Sequence, residues 1–278
     1  MKIVDLSYPW GSKDLILSHY AEGEPVMVPK WGRNNPWGSL DRRDSKVEIT
    51  NWIYSDGTLC PDVTIWSHAG THIETPGFHM CNPPKHLEKK GVADYPPERY
   101  IGEAAVIDLT PFSKKYGIEL PKPDYSVCVP PFYNPAKEKG KGTSSKNSSM
   151  IFSIPLTDLR PLPKEDYREF DPKVEKGDIL LVFNNIGGLS LDVNWIIDKG
   201  IKMVAMQNVW FHGEKDGITR PHDVLLANEI LIIEGIRNLE KINKERVFFI
   251  GMPWHLLGVG ASPIWAIAIE EFENMNKQ

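Results

Sequence analysis

The sequence has few of the features that mark secreted, membrane-spanning or nucleic-acid-binding proteins. Its three cysteines, Cys60, Cys81 and Cys128, are odd in number and far apart, which argues against a disulfide framework and indicates free thiols in a reducing cytoplasm. No uninterrupted apolar run approaches the length of a transmembrane helix, and the N-terminus has no apolar stretch typical of a secretory signal. The 32 Lys and Arg residues are outnumbered by 37 Asp and Glu, which leaves a formal net charge of -5 and no long basic stripe. We therefore expect a cytoplasmic protein that acts on a small molecule and binds neither nucleic acid nor a membrane.

The overall composition is typical of a globular protein. Hydrophobic residues make up 41% of the 278 residues and charged residues 25%, so disorder, collagen and a coiled coil are excluded as the main architecture. We expect one domain over residues 1–278. Residues 1–45 form an arm rich in Trp, Pro and Gly, of the kind that covers a site or a neighbouring subunit, and residues 130–149 have the composition of a flexible loop.

The hydrophobic pattern predicts many strands and few helices. The predicted strands are Ile3–Leu6, Lys46–Tyr54, Asp62–Trp66, Ala104–Leu109, Ile179–Phe183, Ile201–Met206, Ile230–Glu234, Val247–Ile250 and Ile264–Glu270. A helix is predicted from an N-cap at Ser190 to Gly200, and a shorter one over Arg220–Asn228. Strands interleaved with few helices favour an α/β domain with a mixed, barrel-like sheet.

The histidines are unevenly distributed. Four of the eight, His68, His72, His79 and His86, fall within nineteen residues. His68, His72 and Glu74 are ligand types for zinc, manganese or iron, and in an extended segment they share one face. A helix would also pair the two histidines, but the Gly, Thr and Pro residues of this segment favour a strand or loop.

A plainer interpretation is that these histidines cap and hydrogen-bond a polar loop. The combination of two His and one Glu at alternating positions favours a metal site instead. A second group supports it: His222 opens the predicted short helix, and Glu234 ends an otherwise apolar strand. A carboxylate there is costly unless it meets a cation or a hydrogen-bond donor, although a solvated strand end is the alternative.

These residues carry a resemblance to the metal-dependent cyclase superfamily, which includes bacterial kynurenine formamidase and isatin hydrolase. The family hallmark is His-x-Gly-Thr-His-x-Asp-x-Pro-x-His, and this chain offers His68-Ala-Gly-Thr-His72-Ile-Glu74-Thr-Pro76 and then His79. Further matches extend from Asp5-Leu6-Ser7 to the segment Gly260–Ala268. The resemblance implies a swivelling β/β/α fold, and relatives are commonly dimers or tetramers, so we expect a homodimer or homotetramer.

The resemblance also implies roles for the clustered residues. His68, His72 and Glu74 would bind one divalent ion, zinc or manganese. Glu74, His222 and Glu234 would bind a second ion if there are two, and His79 would be the acid/base. Two departures are evident: Glu74 replaces the usual Asp, and the final His falls one residue late, so that Phe78 occupies the usual His position. Trp265 stands where an Arg is common in the family.

The leading hypothesis is a metal-dependent hydrolase that opens or cleaves an amide, cyclic amide, imide or lactone bond. A bound metal lowers the pKa of water to roughly 7 and so supplies hydroxide at neutral pH, and His79 would relay the proton to the leaving nitrogen. Trp10, Trp66 and Phe78 are candidate substrate contacts, which suits an aromatic substrate, although core packing also explains Trp66. A metal-dependent lyase or dehydratase, and a non-catalytic metal- or ligand-binding relative, remain as alternatives.

Overall fold

The computed structural model of the chain describes residues 1–7, 48–53, 59–64, 67–68, 71–80, 82–118, 160–183, 188–206 and 210–271. The strands within these residues are β1 (Lys2–Asp5), β2 (Glu48–Ile53), β3 (Leu59–Thr64), β4 (His72–Glu74), β5 (Ile101–Asp108), β6 (Arg160–Pro161), β7 (Ile179–Phe183), β8 (Leu189–Asp192), β9 (Met203–Met206), β10 (Trp210–His212), β11 (Leu231–Glu234), β12 (Arg246–Pro253) and β13 (Ala261–Glu270). The α-helices within the same residues are α1 (Thr110–Lys115), α2 (Val193–Asp198) and α3 (Pro221–Ala227). Short 3-10 helices span Lys85–Leu87, Val92–Asp94, Pro97–Arg99, Lys164–Glu169, Asp171–Lys173 and Leu239–Lys241.

Seven of the strands close into a barrel. They follow the order β13-β12-β5-β7-β9-β11-β4, and β4 pairs back onto the start of β13, while β1 pairs with the same edge of β13 farther along the strand. Strands β5, β7, β9 and β11 are parallel, whereas β12, β13 and β4 pair antiparallel. This arrangement confirms the predicted α/β class with a mixed, barrel-like sheet and, in the described part of the chain, few helices.

The parallel half of the barrel is buried on both faces. Along β7 every residue is buried; Ile179 and Leu181 belong to the apolar cluster inside the barrel, and Leu180 and Val182 to a second cluster outside it. The second cluster includes residues of α2 and α3, so the helices cover the outside of this half. A strand that is buried on both faces has a continuous apolar sequence. This pattern predicted β7 with its observed bounds.

The predicted helix N-cap at Ser190 is wrong. Ser190 lies within β8, where its hydroxyl is 3.0 Å from Nδ1 of His212 on the parallel strand β10. The helix begins at Val193, and the N-cap is Asp192, whose carboxylate accepts the backbone N–H of Asn194 at 2.9 Å. Strands β6, β8 and β10 form a separate three-stranded sheet that the sequence pattern did not predict.

Two compact units can be distinguished along the chain. One contains residues 1–8, 67–120 and 157–278 and carries the barrel. The other contains residues 9–66 and 121–156, and in it β2 pairs antiparallel with β3. Most of the predicted arm, residues 8–45, and the predicted loop 130–149 lie outside the described residues, and the single domain stays a prediction. None of the described helices is long and apolar enough to cross a membrane.

Candidate metal centre

The donor residues begin on β4, the short strand that closes the barrel. It pairs with β11 on one side and with β13 on the other. Ile73 points into the apolar cluster inside the barrel, so its neighbours His72 and Glu74 point outward. Both are nevertheless buried, with exposures of 1% and 3%. This is the extended segment that the sequence predicted.

The register of β4 brings in a third donor. Glu234, the last residue of β11, lies directly opposite His72, and cross-strand partners point to the same side of a sheet. Its Oε2 is 3.8 Å from Nε2 of His72. The carboxylate that ends an apolar strand therefore faces an imidazole.

A fourth donor comes from the helix layer. His222 is the second residue of α3, which follows Arg220 and begins at Pro221, a residue suited to the first turn of a helix. The imidazole is buried, and its Nε2 lies 2.5 Å from Oε2 of Glu74. Residues 148 positions apart in the chain therefore meet at one carboxylate.

Two flanking turns bring the remaining histidines to Glu74. His68 Nε2 is 3.4 Å from Oε1 of Glu74, the same distance as His72 Nε2, whereas His79 Nε2 is 3.7 Å from the other oxygen, Oε2. The rings of His68 and His79 also meet each other, with Nε2 of the first 3.2 Å from Nδ1 of the second.

The turn before His79 accommodates the additional residue. Phe78 has a left-handed backbone with φ 59°, and its side chain is 52% exposed. Gly77 is fixed by its N–H bond to the Lys90 carbonyl at 3.1 Å, and Thr75 donates to the Gly260 carbonyl from both its N–H and its hydroxyl. Because Phe78 turns outward, His79 reaches the cluster although it falls one position late.

The donor spacing fits a divalent ion. Two sets have donor atoms that all lie within 4.8 Å of one another: His68, Glu74 and His79 in one, and His72, Glu74 and Glu234 in the other. Bonds of about 2.0–2.2 Å place neighbouring donors of one tetrahedral ion roughly 3.3–3.5 Å apart, close to the distances around Glu74. These two sets differ from the grouping that the resemblance implies, in which His68 and His72 bind the same ion. In both groupings Glu74 is the carboxylate that the two sets share.

The acidic groups have shifted pKa values for opposite reasons. Burial raises the pKa of Glu74, but hydrogen bonds from His222 and His72 outweigh it and hold the pKa well below its usual range. At Glu234, burial and the neighbouring charge of Glu74 raise the pKa. Two neighbouring carboxylates repel each other when both are ionised, and a cation between them would relieve that repulsion.

The pKa values of the histidines are also shifted in opposite directions. Burial, with neighbouring His72, lowers the pKa of His68 to about 4, and burial also lowers the pKa of His79. At His222 burial acts in the same direction, but hydrogen bonds with Asp223 and Glu74 raise its pKa to about 10. His68 and His79 are therefore neutral at pH 7, with a ring nitrogen lone pair available to a metal ion or a proton.

Asp223 is a further residue of the site that the sequence did not single out for a role. Its Oδ1 lies 3.4 Å from Nδ1 of His222 and 3.3 Å from the guanidinium of Arg220. A carboxylate behind a ligating imidazole is a common way to fix the orientation of the ring. The only signal in the sequence is the acidic residue next to His222, and such pairs are common.

Two other residues of the same segment, His86 and Phe78, do not join this cluster. His86 is exposed. Phe78 lies with its ring edge against Gly91, and the predicted substrate contacts Trp10 and Trp66 lie outside the described residues. The structure therefore assembles the six polar donors, His68, His72, Glu74, His79, His222 and Glu234.

Comparison with known sequences and structures identifies the family and the fold. A family profile described as "Putative cyclase" matches residues 4–210. No curated protein sequence matches the chain significantly. Among solved structures, an isatin hydrolase bound to the product analogue thioisatinate is similar with a TM-score of 0.58 and 16% identity, covering 96% of this chain and 91% of that one.

Two further structures show the same likeness. Isatin hydrolase A from Labrenzia aggregata, bound to benzyl benzoate, has a TM-score of 0.59 and 13% identity, covering 97% of this chain and 94% of that one. A predicted metal-dependent hydrolase from Bacillus stearothermophilus has a TM-score of 0.51 and 18% identity, covering 96% of this chain and 97% of that one. At these identities the likeness establishes a shared fold.

Proposed function

Since this chain belongs to the cyclase family, we propose that it is a metal-dependent hydrolase of a small carbonyl compound. The observation that carries the proposal is the convergence of imidazole and carboxylate donors on Glu74, at separations that suit a shared ion. The similar structures, which are isatin hydrolases and a predicted metal-dependent hydrolase, support the same reaction class.

The donor set defines what this chain contributes to metal binding. Glu74 would be the central ligand, with His68, His72 and Glu234 around it, and His222 would meet its second oxygen. Imidazole and carboxylate ligands suit zinc and manganese equally, and the shared carboxylate allows one or two ions. When bound, a divalent ion supplies a Lewis acid that lowers the pKa of water and polarises a carbonyl.

His79 is the candidate for proton transfer. Its side chain is 16% exposed, more than that of Glu74, and its neutral ring nitrogen can accept a proton. In hydrolysis of a C–N bond, water adds a hydroxyl group to the carbonyl carbon and a proton to the leaving nitrogen. His79 would accept the proton from water and return it to nitrogen, a contribution of about 10²–10⁴-fold in rate.

The proposed substrate class is an amide, a cyclic amide or imide, or a lactone, with an aromatic group preferred. A planar aromatic compound suits the exposed Phe78 side chain, which precedes His79 in the sequence, and the Trp-rich composition of the N-terminal arm. Isatin hydrolases act on one such lactam, and their fold is shared here at low identity.

The test is a hydrolysis screen of the full chain after loading with zinc or manganese. Formamides, isatin-like lactams, cyclic imides and lactones are incubated in oxygen-18 water, and the acid product is examined by mass spectrometry. We expect solvent oxygen in the acid product of at least one class. Turnover without label incorporation would indicate a lyase or dehydratase, and a metal-loaded protein without turnover of any class would favour a binding protein.

Two variants connect the activity to the site. Glu74→Gln removes the shared charge, so metal affinity should fall by more than about 100-fold and activity should disappear. His86→Ala is the matched control, because it removes an exposed histidine of the same segment. Metal content by mass spectrometry and affinity by calorimetry should be unchanged in the control. Full metal affinity in Glu74→Gln would contradict the assignment of the centre.

A further inference from the structure

Two elements of the candidate centre meet where His79 lies beside His222. Their ring centroids are 5.4 Å apart, and both imidazoles face the same oxygen, Oε2 of Glu74, at 3.7 and 2.5 Å. His79 belongs to the turn that follows β4, whereas His222 belongs to α3. The separation of the two rings therefore depends on how the turn and the helix are held against each other.

The turn is held by the segment of residues 88–92. The Gly77 N–H donates to the Lys90 carbonyl at 3.1 Å, and the Phe78 N–H donates to the Glu88 carbonyl at 3.3 Å. A Cβ on Gly77 would lie only 2.7 Å from the carbonyl carbon of Lys90, so turn and segment are packed backbone to backbone. A displacement of the 88–92 segment would therefore move the turn that carries His79.

The helix ends in a backbone conformation that normally selects glycine. Glu229 follows the C-cap Asn228 and has a φ of 57°, and its N–H donates to the Leu226 carbonyl at 2.9 Å. Glycine is the usual residue at such a left-handed helix end, because a side chain is strained there. A strained residue at this place indicates that its side chain has a use.

The side chain of Glu229 reaches the 88–92 segment. Its Oε1 forms an ion pair with Nζ of Lys90, and the same ammonium lies 4.6 Å from the ring centroid of the buried Tyr95. Burial raises the pKa of Glu229, but the hydrogen bond from Lys90 outweighs it and the pKa is lowered, so the carboxylate is ionised at pH 7. Arg99 packs against the other part of this group, 5.6 Å from the Tyr95 centroid, and donates to the Glu229 carbonyl. Both the backbone and the carboxylate of Glu229 are thus held.

The helix and the turn are therefore joined at two places. At the start of α3, His222 meets His79; past its end, Glu229 meets Lys90, whose carbonyl holds the turn. The helix has seven residues, a length of about 10 Å, and so short a helix moves as one piece. A change at the ion pair is thus transmitted to the contact of the two imidazoles.

A plainer interpretation is that this ion pair only adds stability. The side chains of Lys90 and Glu229 are 34% and 38% exposed, and ion pairs of that exposure contribute little to the free energy of unfolding. Lys199 and Asp171 form a comparable pair at 2.7 Å, with exposures of 28% and 45%, but join α2 to a 3-10 helix. Neither of those elements carries a donor of the centre, so this pair offers a matched control.

We propose that Lys90 and Glu229 are positioning residues for His79. Their ion pair fixes the 88–92 segment against the end of α3 and so sets the separation of His79 and His222 at Glu74. The effect on rate rests on the proposed hydrolase function, because a displaced imidazole transfers a proton less efficiently. The effect on the position of His79 does not depend on that function.

Labelling of the metal-free full chain with diethyl pyrocarbonate tests the position of His79 without a substrate. The reagent modifies neutral imidazoles, and site-resolved mass spectrometry compares the rate at His79 with the rate at the exposed His255 of the same molecule. Lys90→Met and Glu229→Gln should each raise this ratio by about two- to fivefold, the range that loss of a partly exposed ion pair allows. Lys199→Met should leave the ratio unchanged.

The double variant shows whether the two residues act as one link. Lys90→Met combined with Glu229→Gln should raise the labelling ratio no more than either change alone. Circular dichroism establishes that each variant is folded. Folded single variants with the wild-type ratio, an additive double variant, or a Lys199→Met control that rises as much would overturn the proposal.

Kinetics of the zinc- or manganese-loaded variants connect the position to the rate. On a substrate found in the screen, kcat of Lys90→Met should fall about 10-fold while KM changes by less than about twofold, and Lys199→Met should keep both. A raised labelling ratio with the wild-type kcat would overturn the positioning role. A wild type that turns over no substrate class contradicts the proposed function instead, and the labelling ratio still decides whether the ion pair positions His79.

Discussion

The geometry of His79 suits either of two chemical roles, that of a metal ligand or that of a proton-transfer group. Its Nε2 is 3.7 Å from Glu74, within the range of donors that share an ion, yet its side chain is more exposed than that of Glu74. Removal of the imidazole should lower metal affinity if His79 is a ligand, and should lower kcat alone if His79 is a proton-transfer group.

We expect His79→Ala to retain its metal and lose activity. The other donors around Glu74 remain, so the calorimetric affinity for zinc or manganese should change by less than about tenfold, whereas kcat should fall by about 10²–10⁴-fold. His86→Ala again controls for removal of a histidine. Loss of metal from His79→Ala in parallel with activity would show instead that His79 is a ligand.

The convergence of these residues was expected from the sequence, but their contacts were not predictable. Alternation singles out His68, His72 and Glu74, whereas His222 and Glu234 attract notice only beside that first group, and the resemblance implies their grouping into one site. That Oε2 of Glu74 lies 2.5 Å from His222 depends on where α3 packs against the barrel, which no local pattern encodes. The same holds for Asp223, whose only sequence signal is its position beside His222.

Among the elements, the turn at residues 75–79 depends on a glycine in a distant hairpin. Gly260 lies so close to this turn that a Cβ there would be 2.8 Å from both N and Cβ of His79, and closer still to the Gly77 carbonyl. The turn and the β12–β13 hairpin are therefore packed backbone to backbone.

Gly260→Ala should displace the turn that carries His79. Overpacking of this kind costs about 1–3 kcal/mol of the free energy of unfolding, and kcat should fall by about 10–100-fold because the proposed proton-transfer group moves. Gly258→Ala is the control: its φ of +75° makes alanine unfavourable by about 1 kcal/mol, but nothing lies within 4 Å of the new Cβ. Urea denaturation and steady-state kinetics measure the two effects, and equal kcat values in both variants would contradict the prediction.

Strands that are buried on both faces could be predicted from the sequence, whereas strands that depend on pairing with distant residues could not. The apolar run of β7 needs no partner to be recognised, so its bounds were correct. Ser190 looks like an N-cap, but Leu189 and Leu191 on either side are buried, and parallel pairing with β10 makes the segment a strand. Strand β4 is only three residues long, and its function as the closing strand follows from two pairings with residues more than a hundred positions away.

Across the whole molecule, the two ends of the chain are joined in one sheet. Strand β1 pairs with the last described strand, β13, from Lys2 opposite Glu270 onward. Glu270 is buried and receives the Asn243 N–H at 2.6 Å and the Lys2 ammonium at 3.0 Å. Burial raises the pKa of Glu270, but these two donors outweigh it and the pKa is lowered.

This pairing predicts a dependence of stability on pH. Because the folded pKa lies below the unfolded value of 4.5, the stabilisation is complete above about pH 4.5 and is lost as the pH falls through the folded pKa. Glu270→Gln should therefore lose less stability than the wild type between about pH 5 and pH 3, when urea denaturation is followed across that range. Glu88→Gln on the exposed surface controls for the change of charge. An unchanged pH slope in Glu270→Gln would contradict the assignment.

Because β4 closes the barrel, it also determines when during folding the metal centre can form. During synthesis, His68, Glu74 and His79 leave the ribosome early, whereas Glu74 meets His222 only after another 148 residues and meets Ala261 later still. Such long-range pairing is slow to form, because the chain must first lose the entropy of a large closed loop. The growing chain thus carries an incomplete set of donors for most of its synthesis, and the full centre is available to a metal ion only when the barrel closes.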